Sequence, residues 1–143
     1  MKLNILIVED EPFVAQRLKR LLNNILVDHA DTIHHSNDLS GAKNILTTQA
    51  IDLIMLDLNL AGDDGFDLLK QFTAEAAHTI VVSAETGRAL KAFEYGVLDF
   101  VPKPFTQDRL EKALARLKEK PETFGDRPPT KHLAFEARSG VEI

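Results

Sequence analysis

The chain has 143 residues, 44% hydrophobic and 27% charged, with a formal net charge of −5. That is enough for one globular core with a short appendage, and its acidic balance argues against non-specific nucleic-acid binding by this stretch. With no cysteine, disulfides, thiolate metal sites and a cysteine nucleophile are excluded. The apolar start is too short for a signal peptide and no apolar run is long enough to span a bilayer, so a cytoplasmic protein without membrane attachment is expected.

Leu3, Ile5, Leu6, Ile7 and Val8 make a strand-like run that ends in acid at Glu9 and Asp10. Pro12 suits the first turn of a helix, and Val14, Leu18, Leu21, Leu22 and Ile25 then recur at helical spacing. A short strand is read around Thr32 to His35, followed by a helix with Leu39, Ala42, Ile45 and Leu46 on one face. The uncharged run Leu53 to Leu56 suits a strand buried on both faces, as in parallel sheets covered by helices, and it ends abruptly at Asp57.

Leu58 to Gly65 reads as a loop that needs its two glycines for tight turns, before a helix with Phe66, Leu69 and Phe72 inward. Thr79 to Ser83 is a fourth strand, ending in a hydroxyl. A helix over Ala84 to Tyr95, with Ala89, Ala92 and Phe93 inward and Gly96 as its stop, leads to a fifth strand at Asp99 to Val101. Pro102-Lys103-Pro104 follows, and Thr106 caps a last helix whose apolar face is Leu110, Ala113, Leu114 and Leu117. Strand and helix thus alternate five times, which predicts a doubly wound α/β domain with one parallel sheet.

Glu9, Asp10, Asp57, Ser83 and Lys103 all fall at carboxyl ends of predicted strands, where open α/β sheets bind ligands. Each has a bland reading alone: Ser83 as a cap, Lys103 as a solvated lysine, Glu9 and Asp10 as a pair favouring a helix dipole. Their coincidence on one sheet edge favours chemistry. Three carboxylates packed together repel unless a cation sits among them, and an all-oxygen donor set points to Mg²⁺ with a phosphoryl companion. Asp57, central among the five, is the candidate covalent phosphoacceptor, and Lys103 and Ser83 would surround the phosphoryl oxygens.

The motifs Ile5-Leu6-Ile7-Val8-Glu9-Asp10-Glu11, Met55-Leu56-Asp57-Leu58-Asn59-Leu60, Val82-Ser83-Ala84 and Phe100-Val101-Pro102-Lys103-Pro104-Phe105 resemble the receiver domain of two-component response regulators over roughly residues 1–120. The resemblance implies a flavodoxin-like (βα)₅ fold with strand order 2-1-3-4-5. It implies Asp57 as phosphoacceptor and Mg²⁺ held by Asp10, Asp57 and the Asn59 carbonyl, with Glu9 contacting the ion directly or through water. It also implies Ser83 and Lys103 on the phosphoryl oxygens, Phe100 as the switch aromatic, and a cis Lys103-Pro104 bond. Asn59 and Glu85 match positions that influence the attacking water, which leaves the phosphate's lifetime open. Glu9-Asp10 stands where Asp-Asp is commoner and Ser83 where Thr is frequent; neither departure puts phosphorylation in doubt.

Residues 121–130, rich in proline and charge, read as a linker, and 131–143 as an opening hairpin. Together they resemble the start of regulators that carry a LytTR-type DNA-binding domain. The expected protein is a phosphorylation-activated switch, a phosphoacceptor regulator rather than an enzyme, whose Mg²⁺-dependent self-phosphorylation and dephosphorylation are its only chemistry. A sensor histidine kinase is its expected partner, with a homodimer on phosphorylation and DNA contact only through a C-terminal domain lacking from this chain. Two rival classes are weaker. An aspartyl-phosphate phosphohydrolase would ask for an acid where Asn59 stands, and a module without phosphorylation would be expected to lack Asp57, Lys103 or the acidic pair. His34 and His35 are adjacent and, on extended chain, point to opposite faces, so they offer no rival metal site.

Overall fold

In the computed structural model, which describes residues 2–119, each apolar run of the sequence becomes a strand and each helical pattern a helix packed on the sheet. In chain order these are β1 (Leu3–Val8), α1 (Pro12–Leu26), β2 (Ala30–Ser36), α2 (Leu39–Thr48), β3 (Leu53–Leu56), β4 (Asn59–Leu60) and β5 (Asp63–Asp64). They continue with α3 (Phe66–Ala76), β6 (His78–Ser83), α4 (Ala89–Glu94), β7 (Asp99–Pro102) and α5 (Gln107–Ala115). The expected linker and hairpin, residues 121–143, lie outside the described residues.

Five strands form a parallel sheet in the order β2-β1-β3-β6-β7, the expected 2-1-3-4-5 once β4 and β5 are set aside. The period of two along each strand divides the core. Leu6, Val8, Ile54, Leu56 and Val81 meet α2, α3 and α4 on one face, while Ile5, Ile7, Leu53, Met55, Ile80 and Val82 meet α1 and α5 on the other. All four residues of β3 are buried, as expected for a strand covered on both sides.

Local chemistry sets the helix ends. Pro12 opens α1, where its missing N–H costs no intrahelical bond, and Thr106 Oγ1 accepts the Arg109 N–H at 3.1 Å to cap α5. Gly96 takes a φ of +85° in the turn that follows α4, a conformation that side chains disfavour. Lys103-Pro104 is cis, as expected.

Three sequence readings need correction. β2 is longer than the segment Thr32 to His35, because its pairing with β1 extends from Ala30 to Ser36. The glycine loop after Asp57 contains a small antiparallel ribbon, β4 with β5, turning at Gly62. The helix expected over Ala84 to Tyr95 begins only at Ala89, after a bend and a 3₁₀ turn, Thr86–Arg88. Within α4, Ala92 is buried, while Phe93, one position on, turns outward with 46% of its surface exposed.

Candidate functional site

The strand ladder continues beyond the strands and places the site residues through their own backbones. The Glu9 N–H donates to the Ser36 carbonyl, Asp57 N–H to Val8 and Lys103 N–H to Ser83, each at 3.0 Å. Glu9, Asp57 and Lys103 therefore stand along one sheet edge in positions set by register rather than by loop conformation. Asp57 sits between β1 and β3, where the direction of winding reverses and α/β sheets open a crevice.

Side chains then converge. Lys103 Nζ donates to Glu9 Oε1 at 2.8 Å and to Asp57 Oδ2 at 2.9 Å. The other Asp57 oxygen accepts the Asn59 N–H at 3.1 Å, and Glu9 Oε2 accepts the Glu11 N–H at 3.1 Å. Asp10 Oδ2 accepts the Ala61 N–H at 2.8 Å, tying the acidic turn after β1 to the loop after β3. Gly65 allows that loop its close fold: a Cβ there would lie 2.5 Å from the Asp57 carbonyl oxygen and 2.8 Å from Leu58 Cα.

Burial gives these contacts their electrostatic weight. Glu9 is 1% exposed and Asp57 5%. Burial pushes the Glu9 carboxyl above the ordinary carboxylate range, with the Lys103 hydrogen bond offsetting part of the effect. For Lys103, burial works to lower the pKa, but hydrogen bonds to Glu9 and Asp57 outweigh it and hold the ammonium above the ordinary lysine value. The chain thus supplies one of the cations that the clustered carboxylates call for. Glu9, Asp10 and Asp57 each present an oxygen within 4.8 Å of the others. Three carboxylates against one ammonium leave two formal negative charges, and hard oxygen donors with that surplus fit a divalent ion such as Mg²⁺.

The structure brings four of the expected residues, Glu9, Asp10, Asp57 and Lys103, into one cluster. Ser83 is fully buried beside β7, its carbonyl taken by Lys103 N–H and its Oγ accepting the Glu85 N–H at 3.1 Å. Asn59 is exposed on β4, and Phe100, 6% exposed, packs in the core against which α4 lies.

Two features escaped the sequence reading. His35 Nε2 lies 2.8 Å from the Glu9 carbonyl oxygen. Arg88, just past the Ser83 loop, pairs with Asp64 of β5 at 2.8 Å and lies 4.2 Å from the centre of the Phe66 ring. This pairing holds the Asp64 carboxyl below its ordinary range. Neither has a local sequence signal, since both join residues from separate elements.

A parallel five-stranded sheet with an acidic cluster and a lysine at its carboxyl edge is the arrangement expected of a receiver domain. Residues 5–115 match the response regulator receiver domain, and the chain belongs to that family. Among individual proteins, it is 42% identical over 119 residues to the sensory transduction protein LytR of Streptococcus mutans, covering 81% of this chain and 48% of LytR. It is 36% identical over 126 residues to the transcriptional regulatory protein MalR of Bacillus subtilis, covering 85% of this chain and 53% of MalR. The chain therefore spans about half the length of the curated relatives it matches. The response regulatory domain of mrkE from Klebsiella pneumoniae superposes with a TM-score of 0.75 at 26% identity, covering 83% of this chain and 98% of that domain.

Proposed function

We propose that Asp57 accepts a phosphoryl group from the phosphohistidine of a sensor histidine kinase, with Mg²⁺ bound, and that the resulting acyl phosphate changes the protein's binding surface. The observation that carries this reading is the Lys103 ammonium joined to both Asp57 and Glu9 at 2.9 and 2.8 Å. In the transfer, an O–P bond forms to the Asp57 carboxylate as the P–N bond breaks, and the imidazole nitrogen keeps the bonding pair. Charge develops on the three equatorial phosphoryl oxygens. Lys103 already touches the accepting carboxylate and moves onto one of those oxygens, while the Ser83 hydroxyl leaves the Glu85 N–H to donate to another. Asp10, Asp57 and the Asn59 carbonyl, with Glu9 directly or through water, would hold Mg²⁺, which supplies neutralising charge at the acceptor. Hydrolysis of the acyl phosphate, steered by Asn59 and Glu85, resets the switch.

The output follows from the Ser83 loop. As Ser83 moves toward the phosphoryl group, Phe100, already buried at 6% exposure, repacks behind it and the surface of α4, β7 and α5 changes. Leu90 and Phe93 on α4, 76% and 46% exposed, offer apolar anchors for a second phosphorylated copy. Control of transcription is proposed through a C-terminal DNA-binding domain of LytTR type, joined through a linker at 121–130 and beginning at 131–143. The greater length of LytR and MalR supports this. A cytoplasmic setting accords with the kinase partner, and among the described residues no helix is long and apolar enough to cross a membrane.

Light scattering with Mg²⁺ and beryllofluoride, an acyl-phosphate mimic, tests the reading against an Asp57→Ala control. A doubled mass in the wild type alone is the expected result. If the mimic binds neither protein, Asp57 is not a phosphoacceptor; if it binds wild type without a mass change, the homodimer output is wrong.

A further inference from the structure

β2 is the edge strand beside β1, and its side chains play no part in the chemistry proposed for the other strand ends. One of them nevertheless reaches the acidic turn. At the last two registers of the pair, Ile7 faces His35 and Val8 faces Ser36. The ladder then runs one step further, with the Glu9 N–H on the Ser36 carbonyl at 3.0 Å. His35 Nε2 lies 2.8 Å from the oxygen of the other peptide of Glu9, its own carbonyl. A carbonyl only accepts, so this ring nitrogen carries the proton and donates.

The bond completes the fixing of Glu9. Its N–H is held by Ser36, its carbonyl by His35, and its two carboxylate oxygens by Lys103 Nζ and the Glu11 N–H. The Glu9 carbonyl belongs to the peptide that joins Glu9 to Asp10. A donor on that oxygen restrains rotation of the peptide plane, and the plane sets the direction in which the next side chain leaves the chain. That side chain is the Asp10 carboxylate, whose oxygen lies within 4.8 Å of those of Glu9 and Asp57.

We propose that His35 is a positioning residue for the acidic turn: by donating from Nε2 to the Glu9 carbonyl it presets the Glu9-Asp10 peptide, and with it the Asp10 carboxylate, for a divalent cation. The inference rests on the Mg²⁺ site proposed above. His35 touches neither ion nor phosphoryl group and acts only through the peptide. Ordering the turn before the ion arrives removes part of the cost of binding, so losing one such hydrogen bond weakens affinity severalfold without abolishing it.

The test is calorimetric titration of Mg²⁺ into the 143-residue chain and its variants His35→Ala, His35→Val and His35→Gln, with thermal unfolding in metal-free buffer alongside. Val suits an edge strand and covers the case in which Ala fails to fold; Gln keeps an N–H donor of similar reach. Mg²⁺ affinity is expected to fall about fivefold in the Ala and Val variants and to stay within about twofold of wild type in Gln. A role in strand stability alone would lower the unfolding temperature while leaving Mg²⁺ affinity untouched, and that result overturns the proposal. So does a Gln variant as weak as Ala, or a wild-type ¹⁵N spectrum showing the neutral Nδ1–H tautomer at His35. Failure of wild type itself to bind Mg²⁺ would instead strike the metal site on which the inference rests.

Discussion

Two buried carboxylates, Asp57 and Asp99, lie at opposite ends of the sheet and meet opposite electrostatic fates. Asp99, 3% exposed, starts β7 and is over-supplied with partners. It accepts from Arg109 Nη1 and Nη2 at 2.9 and 3.1 Å, from Arg116 Nε at 3.3 Å and from the Phe100 N–H at 2.8 Å. Burial works to raise its pKa, but these bonds outweigh it and hold the carboxyl below the ordinary range. Around Asp57 the charge count is reversed: Glu9, Asp10 and Asp57 cluster beside a single lysine, which pairs with two of them, and burial pushes the Glu9 carboxyl up. A carboxylate with two guanidiniums is a finished structural joint. A cluster short of positive charge is a site held ready for a cation and for a group that brings one with it.

This contrast gives predictions in descending size. Asp57→Ala should abolish phosphate incorporation from a small phosphodonor, yet cost little stability in urea, because it relieves repulsion among the three carboxylates. Mg²⁺ at a hundredfold over its Kd should stabilise the wild type by about 2.7 kcal/mol in the same assay, and Asp10→Asn should lose most of that gain. Asp99→Ala should cost about 2 kcal/mol, since it removes the buried anion that the Arg109 and Arg116 guanidiniums share, while phosphate incorporation per folded molecule stays unchanged.

Asp99 and Glu9 should also differ in the sign of their pH dependence in metal-free buffer. Asp99 has a lowered folded pKa, so its stabilisation is present above the unfolded value of about 4 and lost as pH falls through the folded one. Glu9 has a raised folded pKa, so its contribution is present below the unfolded value and lost as pH rises through the folded one. Urea unfolding across that window should show the advantage of wild type over Asp99→Asn shrinking toward acid, and that over Glu9→Gln shrinking toward neutrality. Smallest of all, Arg88→Met should cost under about 1 kcal/mol, because its Asp64 and Glu85 partners are 46% and 38% exposed and its other contact is with the Phe66 ring.

What the sequence made legible divides along the same physical line. Buried strands that end in polar residues stand out because apolar runs break at Glu9, Asp57 and Ser83, and the topology places those breaks on one edge. Contacts between elements left no such trace. The joining of Arg109 and Arg116 to Asp99, of Arg88 to Asp64 and of His35 to the Glu9 carbonyl depends on side chains meeting across the fold. The two-residue strands β4 and β5 are too short to show a period, and the 3₁₀ turn Thr86–Arg88 carries no sequence signal that separates it from the helix it precedes. The sequence places Lys103 beside a phosphoryl group's oxygens; in the structure it bridges Glu9 and Asp57.

The most direct test of the central claim is mass spectrometry of the intact chain after incubation with a small phosphodonor and Mg²⁺, followed by reductive trapping and peptide mapping of the modified residue. One phosphoryl group on Asp57, absent from Asp57→Ala and absent without Mg²⁺, is the expected result. A wild type that stays unmodified with Mg²⁺ present, or an equal adduct on Asp57→Ala, would contradict the account.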